Sequence, residues 1–155
     1  FNAYDMTRWM GLVPPTEEQW ELACRSVGGS GGNTYSWGDT PVPSTNLCNM
    51  DGTFSPGRPS DVNFFEDTWA DSGLANPYGL FEMTGNVWEW TDSFQSDGYH
   101  YFSWIRGGSY FLAKGSRWYM QGGPITNYQR TKFWYMTPAL NRCATVGFRC
   151  AKDAE

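Results

Sequence analysis

At 155 residues the chain can bury a core of its own without metal or disulfide staples, and 18% aromatics with nine Trp, against 17% charged residues, supply that core. A formal charge of −5 and a pI near 4.8 leave no basic field for phosphate backbones, which excludes nucleic acid as an expected partner. Eighteen Gly and nine Pro exclude a helical bundle and point to a loop-rich single domain over 1–155.

No apolar run reaches the length of a membrane span, so no direct membrane insertion is expected, and neither end carries a lipidation or signal pattern. From a start at Phe1, any targeting signal is expected upstream.

In chain order, AYDMTRWM (3–10) reads as a short helix, with Met6, Trp9 and Met10 at helical spacing and expected in the core. Pro14 and Pro15 stop that helix from continuing. TEEQWELACRS (16–26) is the clearest helix. Thr16 is placed to cap it, Gln19 completes a capping box, and Glu17 and Glu18 occupy the first turn, which the helix dipole favours.

From Gly28 to Asn76 the chain is rich in Gly, Ser, Pro, Asn and Asp and reads as a long irregular segment needing something to hold it, a bound cation being one candidate. Short strands follow at NVWEWTDSF (86–94), YFSWIRG (101–107), RWYM (117–120) and TVGFRCA (145–151). The sum is an α+β domain with one or two helices and a small antiparallel sheet. Period-two alternation puts Trp88 and Trp90 on one face of the first strand and Val87 and Glu89 on the other, with Arg106 or Arg149 as partners for Glu89.

Cys24, Cys48, Cys143 and Cys150 are too widely spaced for a metal knuckle, and His100 is the single histidine. Two disulfides and four buried thiols both fit that count.

The motifs YGLFEMTGNVWEWTDSF (78–94), RGGSY (106–110) and GFRC (147–150), with PPTEEQWELACR (14–25) and YSWGD (35–39) upstream, occur in one order along nearly the whole chain. In them the chain resembles the formylglycine-generating enzyme, or sulfatase-modifying factor, superfamily. That resemblance implies an elaborated C-type lectin-type fold. It also implies calcium held by Glu82, the carbonyls of Gly85 and Val87, and Glu89. A second calcium would use Asn46, the Leu47 carbonyl, Asp51 and the Thr53 carbonyl. Oxygen ligands of this kind are what calcium takes. The resemblance further implies a Cys24–Cys150 disulfide, which leaves Cys48 and Cys143 as a second pair.

The oxidases of the superfamily bind copper through two cysteines shortly after the GGS motif, because thiolate sulfur stabilises Cu(I). The corresponding positions here are Leu112 and Arg117, so no copper and no enzymatic oxidation are expected.

Another branch of the same lectin-type fold, the variable proteins of diversity-generating retroelements, keeps these landmarks and places hypervariable ligand-binding residues between the last two. By that resemblance the binding segment is about 106–150, in a viral or bacterial display protein. Adenine-directed diversification reaches Tyr110, Leu112, Ala113, Arg117, Tyr119, Ile125, Asn127, Tyr128, Phe133, Tyr135, Ala139, Leu140 and Asn141. It leaves Lys114, Trp118, Met120, Gln121, Gln129, Lys132, Trp134 and Met136 as scaffold. Tyr, Trp and Arg are the residue types of binding hot spots. The expected partner is a macromolecule, a protein or cell-surface molecule, met outside the cell, on its surface or on a virion. The competing expectation is a formylglycine-generating oxidase.

Overall fold

The computed structural model describes residues 2–25, 32–72, 76–112, 123–126, 129–134 and 143–152. Three short helices, α1 (Asn2–Trp9), α2 (Glu17–Arg25) and α3 (Glu66–Ser72), precede four strands, β1 (Trp88–Ser96), β2 (Tyr101–Arg106), β3 (Thr131–Trp134) and β4 (Val146–Phe148). The expected strand at 117–120 lies outside the described residues.

The strands form one sheet in the order β3-β2-β1-β4. β1 and β2 pair antiparallel, as do β2 and β3, but β4 joins β1 in parallel. The sheet is therefore mixed, where the sequence predicts an antiparallel one. A parallel partner must enter from the same end as β1.

α2 starts where its capping box puts it. The Thr16 hydroxyl accepts from the Gln19 amide at 3.2 Å and the Gln19 side chain accepts from the Thr16 amide at 2.9 Å. Thr16→Ala is expected to cost about 1 kcal/mol of stability, read as a lower urea midpoint at unchanged slope. The helix turns Glu17, Trp20 and Cys24 inward, and Trp20 and Cys24 pack with Met83 into one core cluster.

α1 forms as expected, but its side chains do not follow the prediction. Met6, Trp9 and Met10 are exposed, Trp9 at 80%, and the buried residue of the helix is Thr7, whose hydroxyl donates to the Tyr4 carbonyl. Tyr4 is the α1 side chain with a ring partner, Phe94 of β1, so the helix rests on the sheet by its Tyr4 side and leaves the methionine stripe outward.

Segment 32–72 is held by aromatic rings. Trp37, Leu47, Cys48, Phe65 and Trp69 form the second core cluster, with Tyr35, Met50 and Phe81 against it. Trp69 stacks on Phe81 at 5.8 Å with ring planes 5° apart, and Tyr35 stacks on Trp37 at 5.4 Å. Stacked rings bury large apolar area with few residues, which lets an irregular backbone keep a fixed path. The Trp69 indole donates to the Leu47 carbonyl and the Trp37 indole to the Pro41 carbonyl, so the rings also satisfy loop backbone. The sequence reading missed α3, which supplies Trp69 to this stack.

All four cysteines stand as thiols, which corrects the Cys24–Cys150 and Cys48–Cys143 pairings. Cys24 points into the core and donates to the Met83 carbonyl, and Cys48 donates to the Ser44 carbonyl. Burial pushes both thiols up, Cys48 to about 12, so neither is a ready nucleophile. Among the described residues no helix is long and apolar enough to cross a membrane.

Candidate ligand-binding face

The two most distinctive motifs are bonded to each other. The Gly85 amide donates to the Gly107 carbonyl at 2.9 Å, and the Tyr110 amide donates to the Asn86 carbonyl at 2.9 Å. Gly85 has φ 86°, and a Cβ there would stand 2.7 Å from the Asn49 carbonyl oxygen. Gly108 has φ 80°, and a Cβ there would run into the Gly123 carbonyl. Both positions therefore demand glycine on conformation and on space.

Asn86 also holds a left-handed conformation, φ 60°. Its amide side chain accepts from Asn49 Nδ2 and the Ser60 amide and donates to the Ser60 carbonyl. Sequence reasoning gave Asn86 no role. Its signal was the residue type, since Asn takes positive φ more readily than most non-glycine residues.

The sheet face that carries Glu89 is crossed by one chain of charges and rings. Glu89 is 5% exposed and pairs with Arg149, which donates from Nε at 2.6 Å and from Nη2 at 2.5 Å, while the Trp20 indole donates to the same carboxylate. Arg149 also donates to the Phe81 carbonyl. Next along the face is Arg106, fully buried, which donates to Glu21, lies 3.4 Å from Glu17 and sits over the Trp20 ring. Glu17 is shared outward with Arg130, whose Nη1 donates to it at 2.6 Å.

Arg130 then lies over the Trp104 ring at 4.3 Å, and the Lys132 ammonium lies 5.3 Å from the ring centres of both Phe102 and Trp104. The series runs from Arg149 through the fully buried Arg106 to the surface at Lys132. Strand alternation explains its order, since Phe102, Trp104 and Arg106 share one face of β2 and Lys132 is the cross-strand partner of Trp104. Of the two partners expected for Glu89, the structure selects Arg149 and gives Arg106 to the α2 glutamates.

Glu89 is thus committed to Arg149 and Trp20, partners that compete with the implied calcium. Glu82 fits better. It is 4% exposed, Oε1 accepts from the Ser60 hydroxyl at 3.4 Å, and Oε2 has no hydrogen-bond partner. Burial pushes its carboxyl up to about 8, the Ser60 bond opposing and Glu89 adding to the rise. A cation there would give Oε2 the partner it lacks.

In the second implied set, Asn46 and Asp51 are exposed, the Leu47 carbonyl accepts from Trp69, and the Thr53 hydroxyl bridges the Met50 amide and Cys48 carbonyl. Among the described residues, no three of His, Cys, Asp and Glu gather to hold a metal ion.

Of the residues expected to contact ligand, Tyr110 is 8% exposed, lies against Gly57 and sits below the surface, a correction to its expected role. Its amide is tied to Asn86, which draws the side chain under the 57–60 loop. Leu112 and Ile125 are half-buried, and Phe133 lies in β3. Ala113, Arg117, Tyr119, Asn127, Tyr128, Tyr135, Ala139, Leu140 and Asn141 lie outside the described residues. Phe102, Trp104 and Arg130 of the charged aromatic face were missed as site residues, although YFSWIR alternates with the period that puts the two rings together.

Fold and face define a small α+β domain that carries a mixed sheet and a cation-capped aromatic surface at one edge. A family model described as the sulfatase-modifying factor enzyme 1-like domain matches residues 1–154, and the chain belongs to that family. The formylglycine-generating enzyme of Streptomyces coelicolor is 31% identical over 163 residues, covering 99% of this chain and 51% of the enzyme. A mouse relative named inactive C-alpha-formylglycine-generating enzyme 2 is 32% identical over 149 residues, covering 94% of this chain and 44% of its own. The chain thus spans about half the length of the curated relatives it matches.

Two solved structures share the fold. CarF superposes with a TM-score of 0.60 at 21% identity, covering 90% of this chain and 46% of its own. Treponema denticola variable protein 1 superposes with a TM-score of 0.57 at 21% identity, covering 88% and 46%. The family holds proteins named as enzymes and at least one named inactive.

Proposed function

We propose that the chain is a non-enzymatic ligand-binding protein whose segment 106–150 is diversified by a retroelement. The observation that carries this reading is Leu112 and Arg117 at the positions of the copper-binding cysteine pair. An aliphatic side chain and a guanidinium cannot replace two thiolates, so oxygen activation at that place has no metal to work through. The inactive relative and the fold shared with a variable protein support the same reading.

The partner is a macromolecule, a protein or cell-surface molecule, met in an extracellular, cell-surface or virion setting. Its contacts fall on Leu112, Ala113, Arg117, Tyr119, Ile125, Asn127, Tyr128, Phe133, Tyr135, Ala139, Leu140 and Asn141, over a scaffold held by the ladder from Arg149 to Arg130. Calcium belongs to the proposal at Glu82 alone.

Sequencing the DNA beside the gene tests the reading. A reverse transcriptase and a near-copy of the region encoding 106–150, differing mainly at adenines, are the expected result. Their absence, together with copper-dependent oxygen consumption by the protein, would return it to the oxidases, the reading favoured by the 31% identity to the Streptomyces coelicolor enzyme.

A further inference from the structure

We infer that the face built from Phe102, Trp104, Arg130 and Lys132 takes an acidic, carboxylate-bearing segment of a protein partner. This rests on the reading above that the chain binds a macromolecule, and it names the chemistry of that partner.

The chain is acidic overall, at −5, yet this network is not. Arg25, Arg106, Arg130 and Lys132 share it with Glu17 and Glu21, and Glu18 acts on Arg130 from α2. Lys132 forms no ion pair among the described residues, and Arg130, half exposed, gives Glu17 one nitrogen of its guanidinium. Stacking over Trp104 holds that guanidinium in place, so little side-chain freedom remains to be lost when an anion binds.

The same stacking decides against a sugar. A pyranose needs the open face of a ring, and here cations cover Phe102 and Trp104. A planar fork beside an ammonium suits carboxylates on an extended segment, met in two-point fashion by Arg130 and singly by Lys132. A short peptide segment meets this one patch, whereas a nucleic acid extends past it over the remaining acidic surface.

The test is fluorescence anisotropy of the whole chain with a labelled decaglutamate peptide, and with a single-stranded oligonucleotide of equal charge as competitor. Binding should weaken with added salt and fall about tenfold in Lys132→Glu, while Lys152→Glu, also exposed, leaves it unchanged. Lys132→Glu removes no ion pair but gives up its two ring contacts, so its melting temperature should fall by no more than a few degrees, and a folding defect stays separable from lost binding.

Equal peptide affinity in Lys132→Glu, or an oligonucleotide that binds more tightly than the peptide, would overturn the inference. So would a charge-dependent dimer of the chain that blocks the peptide. A near-copy in the neighbouring DNA with no peptide binding overturns this inference and leaves the diversified-binder reading standing. Peptide binding without a near-copy does the reverse.

Discussion

Arg149→Met is expected to destabilise the protein by about 3–5 kcal/mol, the largest effect of any single substitution considered. The change leaves Glu89 buried with the Trp20 indole as its remaining donor, and a carboxylate taken out of water needs more than one neutral hydrogen bond. It also removes the donor to the Phe81 carbonyl, which lies under the Trp69 stack. With total stability on the order of 5–15 kcal/mol for a domain of this size, a loss of that size is a large part of the margin.

The comparison that isolates the charge is the double variant Glu89→Gln with Arg149→Met. It should recover about half of the loss, because no ion is then stranded and the amide oxygen still accepts from Trp20. Urea unfolding of the three proteins decides the point. A loss under about 1 kcal/mol in Arg149→Met would mean that the ladder is ornament to the fold and that β4 is held by its backbone pairing with β1.

Glu82→Gln is expected to stabilise the protein at pH 8, by about 2–4 kcal/mol, and to change little at pH 5, in buffer freed of divalent cations. The folded carboxyl titrates at about 8, raised first by burial, while the unfolded one titrates at its ordinary value of 4.5. Between those values the folded state holds a proton that the unfolded state has released. Stability therefore falls as pH rises through the window, by at most about 1.4 kcal/mol per pH unit, and flattens above it. Glutamine keeps an acceptor for Ser60 and cannot ionise, so its profile should be flat from this site.

Calcium gives the second arm of the experiment. At pH 8 it should raise the melting temperature of the wild type and have a smaller effect on Glu82→Gln, because a ligand bound only to the folded state stabilises it by mass action. Equal response in both proteins would remove calcium from Glu82. A wild-type stability that does not fall between pH 5 and pH 8 would mean that Oε2 has a partner in solution, and the pH argument would fail with it.

How far the sequence could be read depended on the range of the interactions involved. The capping box of α2 was legible because Thr16 and Gln19 are three residues apart and meet within one turn. The rings at 35–37 and 64–69 were visible as composition, but what joins the two groups is Trp37 against Trp69, far apart in the chain, and no local period encodes that contact. α3 was hidden because Glu66–Ser72 is short and sits in a segment whose neighbours all favour turns. The methionines of α1 had helical spacing, yet spacing says that a stripe exists and not what covers it.

By itself the sequence determined the family, the α+β class, the helices at Asn2–Trp9 and Glu17–Arg25, three of the four strands, and the loss of the copper pair at Leu112 and Arg117. Each of these is carried by residue type at fixed local spacing. The tertiary structure alone decided that Glu89 goes to Arg149, that Cys24 remains a thiol, that Tyr110 turns inward, and that Phe102 and Trp104 meet Lys132 of β3, far along the chain. A buried charge takes whichever opposite charge the packed backbone brings within reach, and that choice is made only when β1, β2, β3 and β4 come together around α2.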